Sequence, residues 1–182
     1  MTERSLIVLN GAIASGKSTV ARGLAGLLER QGRSSAAIDL DPLWQMLDHQ
    51  TPRTGGIQHW LRAREAAAHL TDAFFGFGIE AVIIEGPFFA PDERRAYLDH
   101  VRAKVEPVFV TLRVSFEEAL RRAQGDSSRG ISRDPSWLAE RSAESEALLP
   151  PLAATDLIVG TDGKTPAELA QRIASDLLVR RA

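Results

Sequence analysis

The feature that most constrains the fold is a turn of eight residues between an apolar segment and an amphipathic one. Residues 5–10 read SLIVLN, the pattern of a buried strand, and residues 16–31 have the spacing of a helix that ends near Gly32. The turn itself, residues 11–18, reads GAIASGKS. Its two glycines let the backbone turn tightly and gather N–H groups into a concave nest that suits phosphate oxygens. The helix that follows adds its positive N-terminal end.

This turn predicts a phosphate-binding loop. The lysine at its seventh position would reach the β- and γ-phosphates of a nucleotide, and the serine after it would give its hydroxyl to Mg²⁺. A glycine-rich strand-to-helix turn without a ligand is the alternative interpretation. The predicted nucleotide-binding residues are Gly11, Ala12, Ile13, Ala14, Ser15, Gly16, Lys17, Ser18 and Thr19. We also assign Lys17 to catalysis and Ser18 to the metal.

Length and composition predict one globular domain over residues 1–182. The hydrophobic share of 44% is ordinary, and a chain of this length buries a core without covalent cross-links. The absence of cysteine excludes a disulfide framework, a thiolate metal site and a cysteine nucleophile. The net charge of −2 and the lack of a long apolar run predict neither a nucleic-acid nor a membrane partner. The first residues lack a secretory pattern, so we expect a cytoplasmic protein.

Strand and helix patterns alternate along the rest of the chain. We predict strands at 35–39, 80–85, 108–114 and 156–159, and helices at 57–77, 92–103 and about 116–124, with a last helix after Thr165. This alternation indicates an α/β domain with a parallel sheet covered on both faces. Residues 125–135, GDSSRGISRDP, lack an apolar period, and we expect a lid or a disordered segment there.

Three of the predicted helices begin with a capping signature. Asp41 before Pro42 predicts an N-cap followed by proline at the first helical position. A serine or threonine with glutamate three residues later predicts a capping box at Ser115 and another at Thr165.

Two large classes of nucleotide-binding protein are excluded by missing motifs. The chain has no Asn-Lys-x-Asp string of the kind that reads guanine in regulatory GTPases, and no LSGGQ-like signature of transporter ATPases. Its length also leaves little room for the extra elements of an oligomeric motor. A small kinase is the class that remains.

The chain resembles the P-loop kinases of small molecules, which include chloramphenicol phosphotransferase, gluconate and shikimate kinases and the zeta-toxin kinases. The resemblance rests on SLIVLNGAIASGKST, AAIDLDPLWQML, AVIIEGPFF and TDLIVGTDGKTPAEL, which occur in family order. It implies a five-stranded parallel sheet of order 2-3-1-4-5 with a short lid at about 122–136. It also implies ATP and Mg²⁺ as cofactors, a small-molecule hydroxyl as phosphate acceptor, and adenine near residues 160–164.

Acidic residues at the ends of two predicted strands are the candidates for catalysis and metal binding. By the resemblance, Asp41 is the general base that orients the acceptor hydroxyl and takes its proton. Asp39 has its side chain on the opposite face if the strand continues, and it either helps to hold Mg²⁺ through water or is simply buried at the sheet end. Glu85 ends the strand EAVIIE, where this fold places a residue of the Mg²⁺ shell. A solvent-facing carboxylate is the alternative for Glu85.

Arginines after the fourth strand are the candidates for the lid. By the resemblance, lid arginines clamp the transferring phosphate, and we assign Arg129 to catalysis and Arg122 to nucleotide binding. An ion pair with Glu118, one helical turn earlier, explains Arg122 equally well. Arg121 and Arg133 are further members of this group.

The acceptor pocket is expected from residues 42–77 and 86–95. Its possible lining residues are Trp44, His49, Arg53, His59, Trp60, Arg62 and Phe88. Arg53, Arg62 or Arg64 would suit an anionic acceptor. Two alternatives therefore stay open beside a kinase of an antibiotic, sugar or metabolite: a nucleoside or nucleotide kinase, and a non-catalytic nucleotide-binding signalling module. The sequence does not decide the oligomeric state.

Overall fold

A parallel sheet of five strands forms the centre of the molecule. The computed structural model describes residues 4–47 and 56–179. The strands are β1 (Ser5–Gly11), β2 (Ser35–Asp39), β3 (Ala81–Glu85), β4 (Pro107–Arg113) and β5 (Leu157–Gly160). They lie in the order β2-β3-β1-β4-β5 and all pair in parallel, which confirms the predicted fold class and strand order. The carboxyl ends of all five strands therefore lie at one edge of the sheet.

Helices connect the strands and cover both faces of the sheet. They are α1 (Lys17–Arg30), α2 (Leu40–Leu47), α3 (Ile57–Gly76), α4 (Pro91–Leu98), α5 (Phe116–Gln124), α6 (Pro135–Ala147), α7 (Leu149–Leu152) and α8 (Pro166–Val179), with a 3₁₀ helix at Ser127–Arg133. No helix in the two described ranges is long and apolar enough to cross a membrane.

Two apolar clusters hold the layers together, one on each face of the sheet. Alternate residues of β1 divide between them, because successive side chains of a strand point to opposite faces. Ile7 and Leu9 pack with α1 and α8, whereas Leu6 and Val8 pack with residues of α2, α3 and α4. β1 is therefore buried on both faces, and the loop that follows it starts from the most rigid part of the sheet.

A third, smaller cluster lies beneath the loop after β1. Ala14 of the loop packs with Ala119 and Ala123 of α5 and with Leu138 of α6. Small side chains on α5 let that helix approach the loop closely. The segment between β4 and β5 is thus built against the predicted phosphate-binding loop.

Two helix boundaries differ from the prediction. α2 begins at Leu40, so Asp41 lies in its first turn and is not the N-cap. Asp39 takes the capping role instead, because its carboxylate accepts the Asp41 N–H at 2.9 Å. α4 ends at Leu98, since the N–H groups of Arg102 and Ala103 bind the carboxylate of Asp72 on α3 and do not continue the helix.

The segment predicted as irregular, residues 125–135, is ordered by local caps. Asp126 accepts from the Ser128 N–H at 3.0 Å and starts the 3₁₀ helix, within which Gly130 breaks the helical conformation at φ 52°. Asp134 accepts from the N–H of Trp137 at 2.8 Å and starts α6. The disordered alternative was wrong because it ignored these aspartates, whereas the lid stays a prediction. α6 and α7 were not predicted.

Candidate active site

The loop between β1 and α1 has the backbone conformation that the motif predicts. Gly16 has φ 93°, and Ala14 adopts φ 60°, a conformation that side chains other than glycine rarely take. A Cβ at Gly11 would lie 2.7 Å from the carbonyl oxygen of Leu112 and 2.8 Å from Ser15 Oγ. Glycine is therefore required at position 11 by a close approach between the loop and β4.

Lys17 folds back over this loop. Its Nζ donates to the carbonyl oxygens of Gly11 at 2.9 Å and Ala12 at 3.1 Å. Burial lowers the pKa of Lys17, and the nearby carboxylates of Glu85, Asp41 and Asp39 oppose this shift. The ammonium group thus lies between the loop and an acidic cluster, where a phosphate group would meet it.

The acidic cluster contains all three carboxylates that the sequence singled out. Asp39 and Glu85 are register partners at the ends of β2 and β3. The expectation that Asp39 faces away from Asp41 was wrong, because residues two apart in a strand share a face. β2 stops at Asp39, and both aspartates act electrostatically on Lys17 and Glu85. Burial, above all, raises the pKa of Glu85 to about 7, although its side chain hydrogen-bonds Ser18.

The chemistry of these side chains fits a nucleotide phosphate and Mg²⁺. Ser18, Glu85 and Asp39 offer hard oxygen atoms, which Mg²⁺ prefers. No group of three or more His, Cys, Asp or Glu residues that could hold a metal lies within 4–47 and 56–179. Mg²⁺ sites in kinases do not need one, because phosphate oxygens and water complete the shell. The buried hydroxyl of Ser15 has no hydrogen-bond partner and remains a donor beneath the loop.

Arg122 connects α5 to the loop. Its guanidinium Nη1 donates to the carbonyl oxygens of Ala14 and Ser15, both at 3.2 Å, and to Thr161 Oγ1 at 3.1 Å. Nη2 donates to the Thr161 carbonyl at 3.0 Å, and Nε pairs with Glu118 at 2.7 Å. The ion pair with Glu118 is confirmed. The guanidinium also lies against the predicted phosphate-binding loop, and its role in nucleotide binding stays a prediction.

The other arginines proposed for the lid differ in whether they act on the candidate site. Arg129 lies on the 3₁₀ helix, where its Nε pairs with Asp126 at 3.2 Å, and its charge lowers the pKa of Lys17. Arg121 is exposed and pairs with Glu118, and Arg133 is exposed as well. Arg129 is thus the member of this group that acts electrostatically on the site.

A match to a family model shows which known proteins this chain is related to. The model described as chloramphenicol phosphotransferase-like protein matches residues 4–178. The chain belongs to the chloramphenicol phosphotransferase-like family. Family membership together with the kinase fold confirms the enzyme class expected from the sequence, a kinase-type phosphotransferase. No curated protein matches the chain.

Solved structures with the same fold include three kinases. Shikimate kinase from Acinetobacter baumannii in complex with shikimate is 19% identical, with coverage of 98% of this chain and 96% of that one and a TM-score of 0.67. A sugar kinase from Janibacter is 20% identical, with coverages of 96% and 94% and a TM-score of 0.67. The APS kinase of Mycobacterium tuberculosis in complex with AMPPNP and APS is 18% identical, with coverages of 96% and 98% and a TM-score of 0.64.

The aromatic residues expected to line the acceptor pocket lie close to one another. Trp44 stacks on Trp60, with ring centroids 5.7 Å apart, and contacts the edge of His59 at 6.5 Å. Trp44 and Phe88 are buried in the cluster under β3, so they act as core residues in the structure. Arg62 is exposed. His49 and Arg53 lie outside the described residues.

Arg64 is not available to an anionic acceptor in this structure. The side chain is buried, and Nη2 donates to the Pro87 carbonyl at 2.6 Å and to Glu93 at 2.7 Å. Its guanidinium also lies over the rings of Trp60 and Phe88. Arg64 therefore holds the segment after β3 in place and is already neutralised by a carboxylate.

Sequence reasoning missed several polar residues that shape the site. Asn10 is fully buried at the end of β1, and Arg94 and Glu93 on α4 bind the backbone of the β3–α4 segment. The one available signal was Asn10 itself, a polar residue that interrupts an apolar strand just before the first loop glycine.

The loop predicted to lie near adenine borders a cavity of about 610 Å³ between α6 and the start of α5. Asp162 of this loop accepts from the Ser115 N–H at 3.1 Å, and Lys164 Nζ donates to the Gly160 carbonyl at 3.0 Å. The location of the base stays a prediction.

Proposed function

We propose that this protein is an ATP- and Mg²⁺-dependent kinase that transfers the γ-phosphate to a hydroxyl group of a small molecule. The observation that carries the proposal is the cluster of Asp39, Asp41 and Glu85 beside Lys17, in which Glu85 also hydrogen-bonds Ser18. Phosphoryl transfer depends on such positioning and charge stabilisation rather than on covalent chemistry by the protein. The family and the kinase fold agree with this chemistry.

The nucleotide phosphates would be held by the loop and Lys17. The N–H groups of the loop and of the first turn of α1 would donate to phosphate oxygens, and the ammonium group of Lys17 would turn from two backbone carbonyls towards the β- and γ-phosphates. Ser18, Glu85 and Asp39 would hold Mg²⁺, directly or through water. When bound, the ion would neutralise charge on the phosphates.

Asp41 would act as the general base. The side chain lies in the first turn of α2 and is part of the acidic cluster beside Lys17. A carboxylate there would accept a hydrogen bond from the acceptor hydroxyl and align its oxygen with the γ-phosphorus. It would take the proton as the new O–P bond forms and the bond from the γ-phosphorus to the departing ADP breaks. Arg129 would add positive charge near the transferring group, as a lid residue does on closure.

Arg64 is not the cation that would bind an anionic acceptor. Its buried side chain, beside the β3–α4 segment, is bound to Glu93 and to the Pro87 carbonyl. A nucleotide kinase needs cations that bind the acceptor phosphate, and Arg64 does not supply one in this structure. Shikimate, a hydroxy acid, is the ligand of one structural neighbour, so hydroxyl compounds with and without an acidic group are natural starting points for a screen.

The test is a mass-spectrometric screen for ATP-dependent gain of phosphate. Pools of antibiotics, sugars, sugar acids, nucleosides and nucleotides would be incubated with Mg²⁺, ATP and the wild type, Asp41→Asn or Lys17→Ala. We expect a product with the wild type, loss of product with both variants, and nucleotide affinity nearly unchanged only in Asp41→Asn. Asp176→Asn, on the exposed face of α8, is the matched control.

The outcomes separate the alternatives. Full turnover by Asp41→Asn would remove the general-base assignment, and unchanged ATP affinity in Lys17→Ala would remove the phosphate-loop assignment. Products confined to nucleotides would favour the nucleotide kinase. ATP binding without a product in any pool would favour a nucleotide-binding signalling module.

A further inference from the structure

Both polar groups of the Phe88 backbone are bound by a closed ring of side chains. The Phe88 N–H donates to Asn10 Oδ1 at 2.9 Å, Asn10 Nδ2 donates to Thr111 Oγ1 at 3.1 Å, and Thr111 Oγ1 donates to Asp156 Oδ2 at 2.5 Å. Arg94 binds both oxygens of Asp156, at 2.8 and 2.7 Å, and its Nε donates to the Phe88 carbonyl at 2.9 Å. The ring thus starts and ends on one residue.

Each polar group in the ring can serve only as the hydrogen-bond donor or acceptor that its partners require. The Phe88 N–H must donate, so Asn10 presents its carbonyl oxygen there and its amide nitrogen to Thr111. The Thr111 hydroxyl accepts that bond and must donate to Asp156, which as a carboxylate only accepts. Arg94 supplies the charge that Asp156 needs and has a donor left for Phe88. No member can rotate without leaving a buried polar group unpaired.

Burial makes this arrangement rigid. Asn10, Thr111 and Phe88 have 0% exposure, and the carboxylate of Asp156 is likewise shielded. The Arg94 guanidinium also lies over the ring of Phe109, 4.0 Å from its centroid. Water therefore has little access to replace a broken bond, and buried unpaired polar groups are costly.

The ring joins the two halves of the candidate active site. Asn10 directly precedes Gly11, the first residue of the phosphate-binding loop, and Phe88 lies three residues after Glu85 of the acidic cluster. We propose that Asn10, Thr111, Asp156 and Arg94 act as positioning residues that fix residues 86–90, the acceptor-side segment, relative to the phosphate-binding loop. The catalytic part of this proposal rests on the proposed kinase function.

The other backbone N–H groups of the acceptor-side segment and the Pro87 carbonyl are also bound internally. Its other contacts are Gly86 N–H to the Leu9 carbonyl at 3.1 Å, the Pro87 carbonyl to Arg64 at 2.6 Å, and the Phe89 and Ala90 N–H groups to Glu93 at 2.8 and 2.9 Å. Proline has no N–H, so every backbone donor of residues 86–90 is used. Both the Gly86 bond to Leu9 and the ring reach β1. The ring is the part that holds Phe88 against Asn10, next to the phosphate-binding loop, so its loss would loosen residues 87–90 relative to that loop.

Thr111 provides a matched set of variants. Thr111→Val keeps the shape of the side chain and breaks the ring at its centre, whereas Thr111→Ser keeps the hydroxyl. Thr71→Val removes another buried hydroxyl, bonded to Tyr97 at 2.7 Å, without touching the ring. Arg94→Lys is the second ring variant, because lysine keeps the charge but cannot bind both Asp156 oxygens and the Phe88 carbonyl together.

The first measurement is hydrogen exchange at the Phe88 amide in the folded protein, with and without AMPPNP and Mg²⁺. We expect exchange at least tenfold faster than in the wild type for Thr111→Val and Arg94→Lys. Exchange should stay within threefold of the wild type in Thr111→Ser and should be unchanged in Thr71→Val. Equal exchange in the wild type and a folded ring variant would overturn the proposal, as would the same acceleration in Thr71→Val. If Thr111→Val does not fold, Arg94→Lys decides.

The second measurement uses the acceptor identified in the screen. We expect Thr111→Val to raise the acceptor KM or lower kcat at least tenfold while the Kd for AMPPNP changes less than twofold, and Thr111→Ser to restore the wild-type values. An equal loss of nucleotide affinity would overturn the positioning role. If no acceptor is found, the proposed kinase function fails, and hydrogen exchange still decides whether the ring fixes the segment.

Discussion

Removal of the Arg122 guanidinium is predicted to destabilise the protein through the phosphate-binding loop. The neighbouring Arg121 is its matched control, because both arginines pair with Glu118 and only Arg122 reaches the loop. Arg122 makes four hydrogen bonds to Ala14, Ser15 and Thr161, at 3.0–3.2 Å. At about 0.5–1 kcal/mol each, Arg122→Ala loses roughly 2–4 kcal/mol.

The ion pairs with Glu118 contribute far less to the free energy of unfolding. Arg121 has 71% of its side chain exposed, so water and salt screen its pair with Glu118. Arg121→Ala should therefore change stability far less than Arg122→Ala. The contrast between two adjacent arginines isolates the contacts with the loop from the loss of a charge.

Thermal unfolding measures this difference directly. For a chain of this size, a loss of 2–4 kcal/mol lowers Tm by roughly 5–15 °C, whereas Arg121→Ala should lower it by about 2 °C at most. The Kd for AMPPNP should rise in Arg122→Ala alone, because Ala14 no longer has a partner that holds its left-handed conformation. Equal, small shifts in the two variants would show that Arg122 does not support the loop.

Two further predictions concern the edge of the sheet. Burial raises the pKa of Glu85 to about 7. The folded protein therefore binds more protons than the unfolded chain between about pH 4.5 and 7. The free energy of unfolding should fall by about 2–3 kcal/mol as pH rises through this window. Denaturant titrations of the ligand-free protein at pH 5 and 8 should show this fall in the wild type and in the control variant Glu168→Gln, but not in Glu85→Gln. If stability still falls in Glu85→Gln, another group causes the pH dependence. Gly86→Ala should cost about 1–3 kcal/mol, because its Cβ would overlap the buried side chain of Leu40, whereas Gly76→Ala at the end of α3 has open space and should stabilise by about 0.5–1 kcal/mol. Urea midpoints measure both, and a neutral Gly86→Ala would refute the steric argument.

The sequence predicted the features that depend on local patterns. The apolar run of β1, the spacing of α1 and the octapeptide between them are each confirmed, since strand, turn and helix are set by neighbouring residues. The strand order followed from the family resemblance rather than from the pattern. The carboxylates at the ends of β2 and β3 meet because parallel strands end at one edge, which topology alone determines.

Contacts between distant residues were beyond sequence reasoning. Asp72 ends α4 from 30 residues away in the sequence, and Arg64 forms an ion pair with the distant residue Glu93. Neither contact leaves a signal in the neighbouring sequence. The capping roles of Asp39 and Asp126 were not predicted, for a different reason. Their capping bonds are local, but an aspartate that follows a strand or precedes a serine has several equally plausible roles.

The central position of β1 has a consequence for how the chain is made. β1 is the first strand synthesised, yet its partners β3 and β4 begin at residues 81 and 107. Its apolar residues therefore emerge from the ribosome long before a neighbouring strand exists to cover them. Parallel pairing over such separations is slow and leaves apolar surface exposed during synthesis. The residues that make β1 a firm base for the loop thus leave apolar surface uncovered on the nascent chain until β4 is complete.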